Sequence, residues 1–100
     1  MTRHTLTPKQ RSVLKGLAHS LKPILHIGKE GVGDNAVAVI TSAFNTRELM
    51  KIKVLDTAPE SARETGAALA ARVEGAHLVQ VIGHTVVLYR PHPEKPTIKL

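Results

Sequence analysis

The amino-acid sequence predicts an α/β domain with the order α-β-α-β-α-β-β and one four-stranded mixed sheet. Three observations carry this. Segments with apolar residues at helical spacing alternate with short apolar runs of strand length. Proline and glycine stand at the junctions between these segments. The last two apolar runs are separated only by Gly83-His84, a link so short that it implies an antiparallel hairpin.

Thr7-Pro8-Lys9-Gln10 opens the first helix: Thr7 can cap it, Pro8 suits its first position, and Gln10 can complete a capping box. Val13, Leu14, Leu17, Ala18 and Leu21 then form its apolar stripe, Arg11, Lys15 and Lys22 fall opposite, and Pro23 ends it. Ile24-Leu25-His26-Ile27 is a short strand. After a glycine-rich loop the second helix begins near Gly33 or Asp34, either of which can cap it. Ala36, Val37, Ile40, Ala43 and Phe44 make its stripe, and Asn45-Thr46 breaks it. Leu49 to Leu55 alternates around Lys51, Ile52, Lys53 and Val54, a strand with one buried and one wet face. Asp56 to Pro59 turns into a third helix, with Pro59 in its first turn. Its stripe of Ala62, Gly66, Leu69, Ala70 and Val73 is small enough to lie close on a sheet, and Gly75 stops it. Strands at 77–82 and 85–90 follow. PHPEKPTIKL then holds three prolines and is expected to be an extended tail, so that residues 1–91 form the domain and 92–100 the tail. Right-handed crossovers would put the second and third helices on one sheet face. The other face is expected to be partly open, with Lys51 and Lys53 accessible.

The 100 residues fit a single domain. The absence of cysteine excludes disulfides and thiolate metal sites. The N-terminus has no apolar signal-peptide core, and no apolar run approaches the roughly 18 residues of a membrane span. A soluble cytoplasmic protein is expected. The net charge is +6 and unevenly placed: Arg3, Lys9, Arg11, Lys15, Lys22 and Lys29 all precede the first acid, Glu30. The remaining eight basic residues are matched by eight acidic ones. Such asymmetry suits a polyanion docking at one end of the domain, although a mildly basic protein can also be basic for solubility alone. With Phe44 and Tyr89 as the sole aromatic residues of the Phe, Trp and Tyr class, base stacking on paired sheet aromatics is disfavoured.

The chemistry concentrates in His26-Ile27-Gly28-Lys29-Glu30-Gly31-Val32-Gly33-Asp34. A loop that ends a strand and opens a helix presents backbone N–H groups, glycine lets a phosphate approach them, and the helix dipole favours an anion. Such loops are also common as plain turns. The nucleotide readings fail on spacing. Lys29 follows the first glycine and precedes Glu30, unlike G-x-x-x-x-G-K-[ST], and Gly28-x-x-Gly31-x-Gly33 is not G-x-G-x-x-G. The four-residue G-x-x-G instead resembles the clamp of KH domains on an RNA backbone. Glu30 is out of place beside a phosphate unless it points away or bonds a base edge or ribose hydroxyl. The face carrying Arg11, Lys15 and Lys22 is either a solvated face or a phosphate-contacting one, and it lacks any compensating acid. His4, His19, His26, His77, His84 and His92 show no tight metal spacing, and the serines show no nucleophile pattern. No enzyme activity is expected.

Three separated blocks, "LTPKQRSVLKGLAHSLKPILHIGKEGV", "RELMKIKVL" and "GAHLVQVIGHTVVLYRP", resemble the CRM domain, over about residues 5–91. The closest kind is the bacterial stand-alone YhbY-like form. The resemblance implies a fold akin to the C-terminal domain of translation initiation factor three. It also implies RNA binding without catalysis, with bacterial members associated with precursors of the large ribosomal subunit. Its G-K-x-G loop falls on Gly28, Lys29, Glu30 and Gly31. Two positions depart from many relatives: Gly33 stands in place of Thr or Ser, passing the capping duty to Asp34, and His84 stands in place of Arg or Lys.

The expected function is therefore RNA binding in ribosome assembly. The expected contact set is Gly28, Lys29, Glu30, Gly31, Arg11, Lys15 and Lys22, with Lys51 and Lys53 added through the open sheet face. The partner would be ribosomal RNA in large-subunit precursors, with no cofactor, metal, membrane or small-molecule substrate. Two other readings are a protein-binding adaptor docking an acidic partner through the basic helix, and a small enzyme acting on a phosphorylated metabolite. The last lacks an acid–base constellation.

Overall fold

Thr7 and Gln10 close the first helix by reciprocal bonds: Gln10 N–H donates to Thr7 Oγ1 at 3.1 Å, and Thr7 N–H donates to Gln10 Oε1 at 3.0 Å. The computed structural model describes residues 6–98 and residue 100. Arg3 and His4 lie outside these. The elements are α1 (Pro8–Ala18), β1 (Pro23–Ile27), α2 (Asp34–Ala43), β2 (Leu49–Val54), α3 (Ala62–Arg72), β3 (His77–Ile82) and β4 (Thr85–Tyr89).

The four strands are ordered β1-β2-β4-β3. β1 runs parallel to β2, and β4 is antiparallel to both β2 and β3. β2 and β3 thus point the same way but are separated by β4, which enters between them from the hairpin. Gly83, with φ +56°, supplies the left-handed first position that a two-residue link requires. On one sheet face Met50, Ile52, Val54, Val86 and Leu88 pack with Ile40 of α2, Phe44 at its C-cap and Leu69 of α3. The second and third helices therefore share a face, as expected. α3 sits close: a Cβ on Gly66 would stand 2.9 Å from Leu78 Cδ1 and 3.1 Å from Val86 Cγ1.

The other sheet face is not open. α1 lies across it, packing Leu14 and Ala18 on Leu49, Val79, Val87 and Tyr89. Its stripe is narrower than the spacing suggests, since Val13 and Leu17 face outward, 41 % and 46 % exposed. The helix stops at Ala18 rather than at Pro23. Residues 19–22 are needed for the turn that sets Pro23 beside Lys51, so Leu21 lies outside the helix. Arg11 is not opposite the buried stripe. It is three residues before Leu14 and seven before Ala18, on the sheet-facing side. Its Nη1 donates to the carbonyls of Leu78 and Val79, both at 2.7 Å, where the β3 register shifts.

α3 begins at Ala62, later than the Pro59 start. Ser61 and Glu64 form a capping box that the sequence reading passed over: Glu64 N–H donates to Ser61 Oγ and Ser61 N–H to Glu64 Oε1. That reciprocal cap satisfies two first-turn donors, which Pro59 cannot do. The described residues after Tyr89 form neither helix nor strand. Glu48, 5 % exposed, gathers them through hydrogen bonds from His92, Thr97 and Ile98.

Candidate nucleic-acid interface

The glycine loop is a tight turn. Gly31 N–H donates to the Gly28 carbonyl at 2.9 Å, which places Lys29 and Glu30 at the two corners. Gly31 is held at φ +65°, and a Cβ there would stand 2.9 Å from Pro59 Cγ. Backbone conformation and close approach both demand glycine at this position. Gly28 meets only ordinary contacts, with Thr57 and Leu55. Glu30 now has a structural place. At the third turn position it is exposed, makes no hydrogen bond or ion pair, and borders the depression between the turn and the start of α2, with Gly31, Gly33 and Asn35.

Beyond the turn, Gly33 caps α2 with extended backbone (φ −103°, ψ 177°) and no side-chain bond to the first-turn N–H groups. Asp34 does not cap. It pairs with Arg72 at 2.5 Å, and Arg72 also donates to the Val32 carbonyl at 2.9 Å. A guanidinium on α3 thus competes successfully for the carboxylate, ties α2 to α3, and leaves the α2 N-terminus without a side-chain cap. N–H groups presented in this way suit an anion.

The lysines form a strip leading to this turn. In the parallel ladder Pro23 is beside Lys51 and His26 beside Lys53, so His26 and Lys53 share the sheet face that carries α1. Lys51 is half-buried at the C-terminal end of α1, where its Nζ donates to the His19 carbonyl at 3.3 Å, a favourable end of the helix dipole for a cation. Lys15 borders the same depression as Lys51, with His19, Gln80 and Ile82. Lys53 is exposed, about 7 Å further along the strand. Lys22 precedes β1, and Lys29 follows it.

Among the described residues the ion pairs are Arg72–Asp34 and a 3.6 Å approach of His84 Nε2 to Asp56 Oδ1. Lys15, Lys22, Lys29 and Lys53 therefore keep uncompensated charge. Arg11 is drawn away by the β3 carbonyls. His26 joins the strip only through the β1–β2 register, which pairwise reading of the sequence did not supply.

Among the described residues no group of three or more His, Cys, Asp or Glu could hold a metal ion. No helix of the described residues is long and apolar enough to cross a membrane.

Known proteins share this chain's sequence pattern and fold. The CRS1 / YhbY (CRM) domain model matches residues 6–90. The "Probable RNA-binding protein YqeI" of Bacillus subtilis is 42 % identical over 97 residues, covering 95 % of this chain and 98 % of that one. An "RNA-binding protein" of Haemophilus influenzae is 41 % identical over 90 residues, 90 % of each chain. The solution structure of the hypothetical protein SAV1595 from Staphylococcus aureus, a candidate RNA-binding protein, superposes with a TM-score of 0.79. That chain is 38 % identical, with 96 % of this chain and 99 % of the other covered. The chain belongs to the CRS1/YhbY (CRM) domain family.

Proposed function

We propose that this protein binds RNA, and that its RNA is ribosomal RNA in precursors of the large ribosomal subunit, whose assembly it assists. The observation that carries the RNA reading is the continuity of an exposed G-K-x-G turn with lysines that no acid neutralises. The names of the relatives point the same way. The ribosomal part rests on the likeness to bacterial family members.

In this reading phosphates lie against the Gly28–Gly31 turn and the first-turn N–H groups of α2, with Lys29 beside them. The backbone then follows Lys53, Lys51, Lys15 and Lys22 along the α1 side of the sheet. Glu30 borders the depression between the turn and α2, where its carboxylate meets a base edge or ribose hydroxyl and not a phosphate, and Arg11 serves to dock α1 rather than to hold phosphate. No acid–base pair or metal site is part of the reading, and the protein acts by binding.

Five lysine contacts to a single strand would give a slope of log affinity against log salt of about −3.5. Lys29→Ala should weaken binding to 12-nucleotide RNAs of different sequence alike and make that slope shallower by about 0.7. An unchanged affinity and slope would remove the turn from the interface. A wild type with no salt-sensitive RNA affinity would favour the adaptor reading, in which the same lysines meet an acidic protein. Sedimentation of cell extract with crosslinking and RNA sequencing tests the ribosomal part: absence from large-subunit precursor fractions would sink it while leaving RNA binding intact.

A further inference from the structure

At the sheet end that carries the G-K-x-G turn, a second feature stands next to it. The β2–α3 connection and the β3–β4 hairpin enclose an open cleft of ≈ 510 Å³. Its floor is apolar, built from Val54, Ala58, Pro59 and Val81, and its rim carries Asp56, Glu60, Arg63 and His84. The hairpin side is fixed by Val54 N–H donating to the His84 carbonyl at 2.7 Å. The cleft shares a wall with the turn: Pro59 is the residue that Gly31 approaches, and Leu55, 36 % exposed, lies between Gly28 and the cleft.

We infer that this cleft takes one unstacked base of the RNA whose backbone rests on the neighbouring turn, and that Asp56 and Glu60 select a guanine. The inference rests on the RNA-binding reading above and adds a specificity site to it. Size and an apolar floor with few polar groups suit a small planar ligand. The rim sets the carboxylates of Asp56 and Glu60 against Arg63 and His84, the last standing 3.6 Å from Asp56 Oδ1, so it carries no net positive charge to favour a phosphate. The N-terminus of α3, which also borders the cleft, is closed by its own Ser61–Glu64 cap and offers no second anion site. A carboxylate accepts hydrogen bonds only, and the Watson–Crick edge of guanine presents two adjacent donors, the ring N1–H and the exocyclic amino group. Adenine and cytosine offer one amino group each at that edge, and uracil a single ring N–H. Leu55 then gives the base an apolar contact on its way from the turn, and the Arg63 guanidinium a plane to stack on.

The test uses the full chain and four labelled RNA 12-mers, r(U)12, r(UGU)4, r(UAU)4 and r(UCU)4, with fluorescence anisotropy at fixed low salt. The wild type should bind r(UGU)4 about fivefold more tightly than r(U)12, the low end for one well-formed two-donor contact. Asp56→Asn with Glu60→Gln should abolish that preference while r(U)12 binding stays equal or tightens, since negative charge is removed. Equal melting temperatures of the two proteins exclude a folding defect. Indifference of the wild type to all four bases would overturn the cleft assignment and leave backbone binding standing, as would a guanine preference that survives in the double variant. Failure of the wild type to bind any of the four would overturn the RNA-binding reading and this inference with it.

Discussion

Glu48→Gln is the perturbation whose size the structure sets most directly. The carboxylate is 5 % exposed, and it accepts from His92 N–H at 2.6 Å on one oxygen. On the other it accepts from Thr97 N–H at 2.7 Å, Thr97 Oγ1–H at 2.6 Å and Ile98 N–H at 2.8 Å. Burial alone would raise its pKa. The hydrogen bonds from Thr97, His92 and Ile98 outweigh burial and hold the pKa at about 2, against an ordinary value of 4.5. Because the folded pKa lies below the unfolded one, ionised Glu48 stabilises the fold above about pH 4.5. That contribution is lost as pH falls toward 2. The gap from 4.5 to 2 corresponds to about 3 kcal/mol as an upper figure. The glutamine amide keeps one acceptor oxygen but turns an N–H₂ group toward a neighbouring N–H donor. The variant should therefore be less stable at pH 7 by about 2–3 kcal/mol. Urea denaturation of both proteins at pH 7, 5, 4 and 3 reads the difference directly, and the other carboxylates cancel in it. The deficit should shrink as pH falls below 4.5. A deficit that stays constant from pH 6 to pH 3, or none at pH 7, would refute the account of Glu48 as the ionised anchor of the C-terminal segment.

Arg11→Ala should cost about 2 kcal/mol of stability by removing a charged donor from two carbonyls, measured by urea denaturation. Once allowance is made for folding, its RNA affinity should fall less than that of Lys15→Ala; an equal or larger fall would return Arg11 to the contact surface. Gly31→Ala should destabilise by about 1–2 kcal/mol, since φ +65° and the Pro59 contact both resist a methyl group. Gly16→Ala, in α1 with nothing within 4 Å of the added atom, should raise stability by about 0.8 kcal/mol. A loss at Gly16 in a thermal melt would mean that α1 packs more tightly than described.

How the chain organises was largely legible locally. Thr7-Pro8-Lys9-Gln10 caps a helix by chemistry within four residues. Alternation around Lys51 and Lys53 assigns the buried face of β2 from the chain alone, and Gly83-His84 dictates the hairpin. Two helix starts needed the structure: α3 begins at the Ser61–Glu64 box rather than near Pro59, and of the two cap candidates for α2 Gly33 serves while Arg72 claims Asp34. Arg72 is 38 residues from Asp34, so no periodicity carries that pairing.

Sequence by itself therefore determined the α/β class, the hairpin, the turn glycines and the excess of basic charge before Glu30, because caps, alternation and charge order act over a few residues. Tertiary structure decided which face each cation occupies. α1 covers the second sheet face, turning Arg11 inward and leaving Lys53 beside His26. It also set the cleft beside the turn and tied the C-terminal segment to Glu48. Those outcomes depend on contacts between residues far apart in the chain, whose geometry exists only once the sheet order β1-β2-β4-β3 has formed.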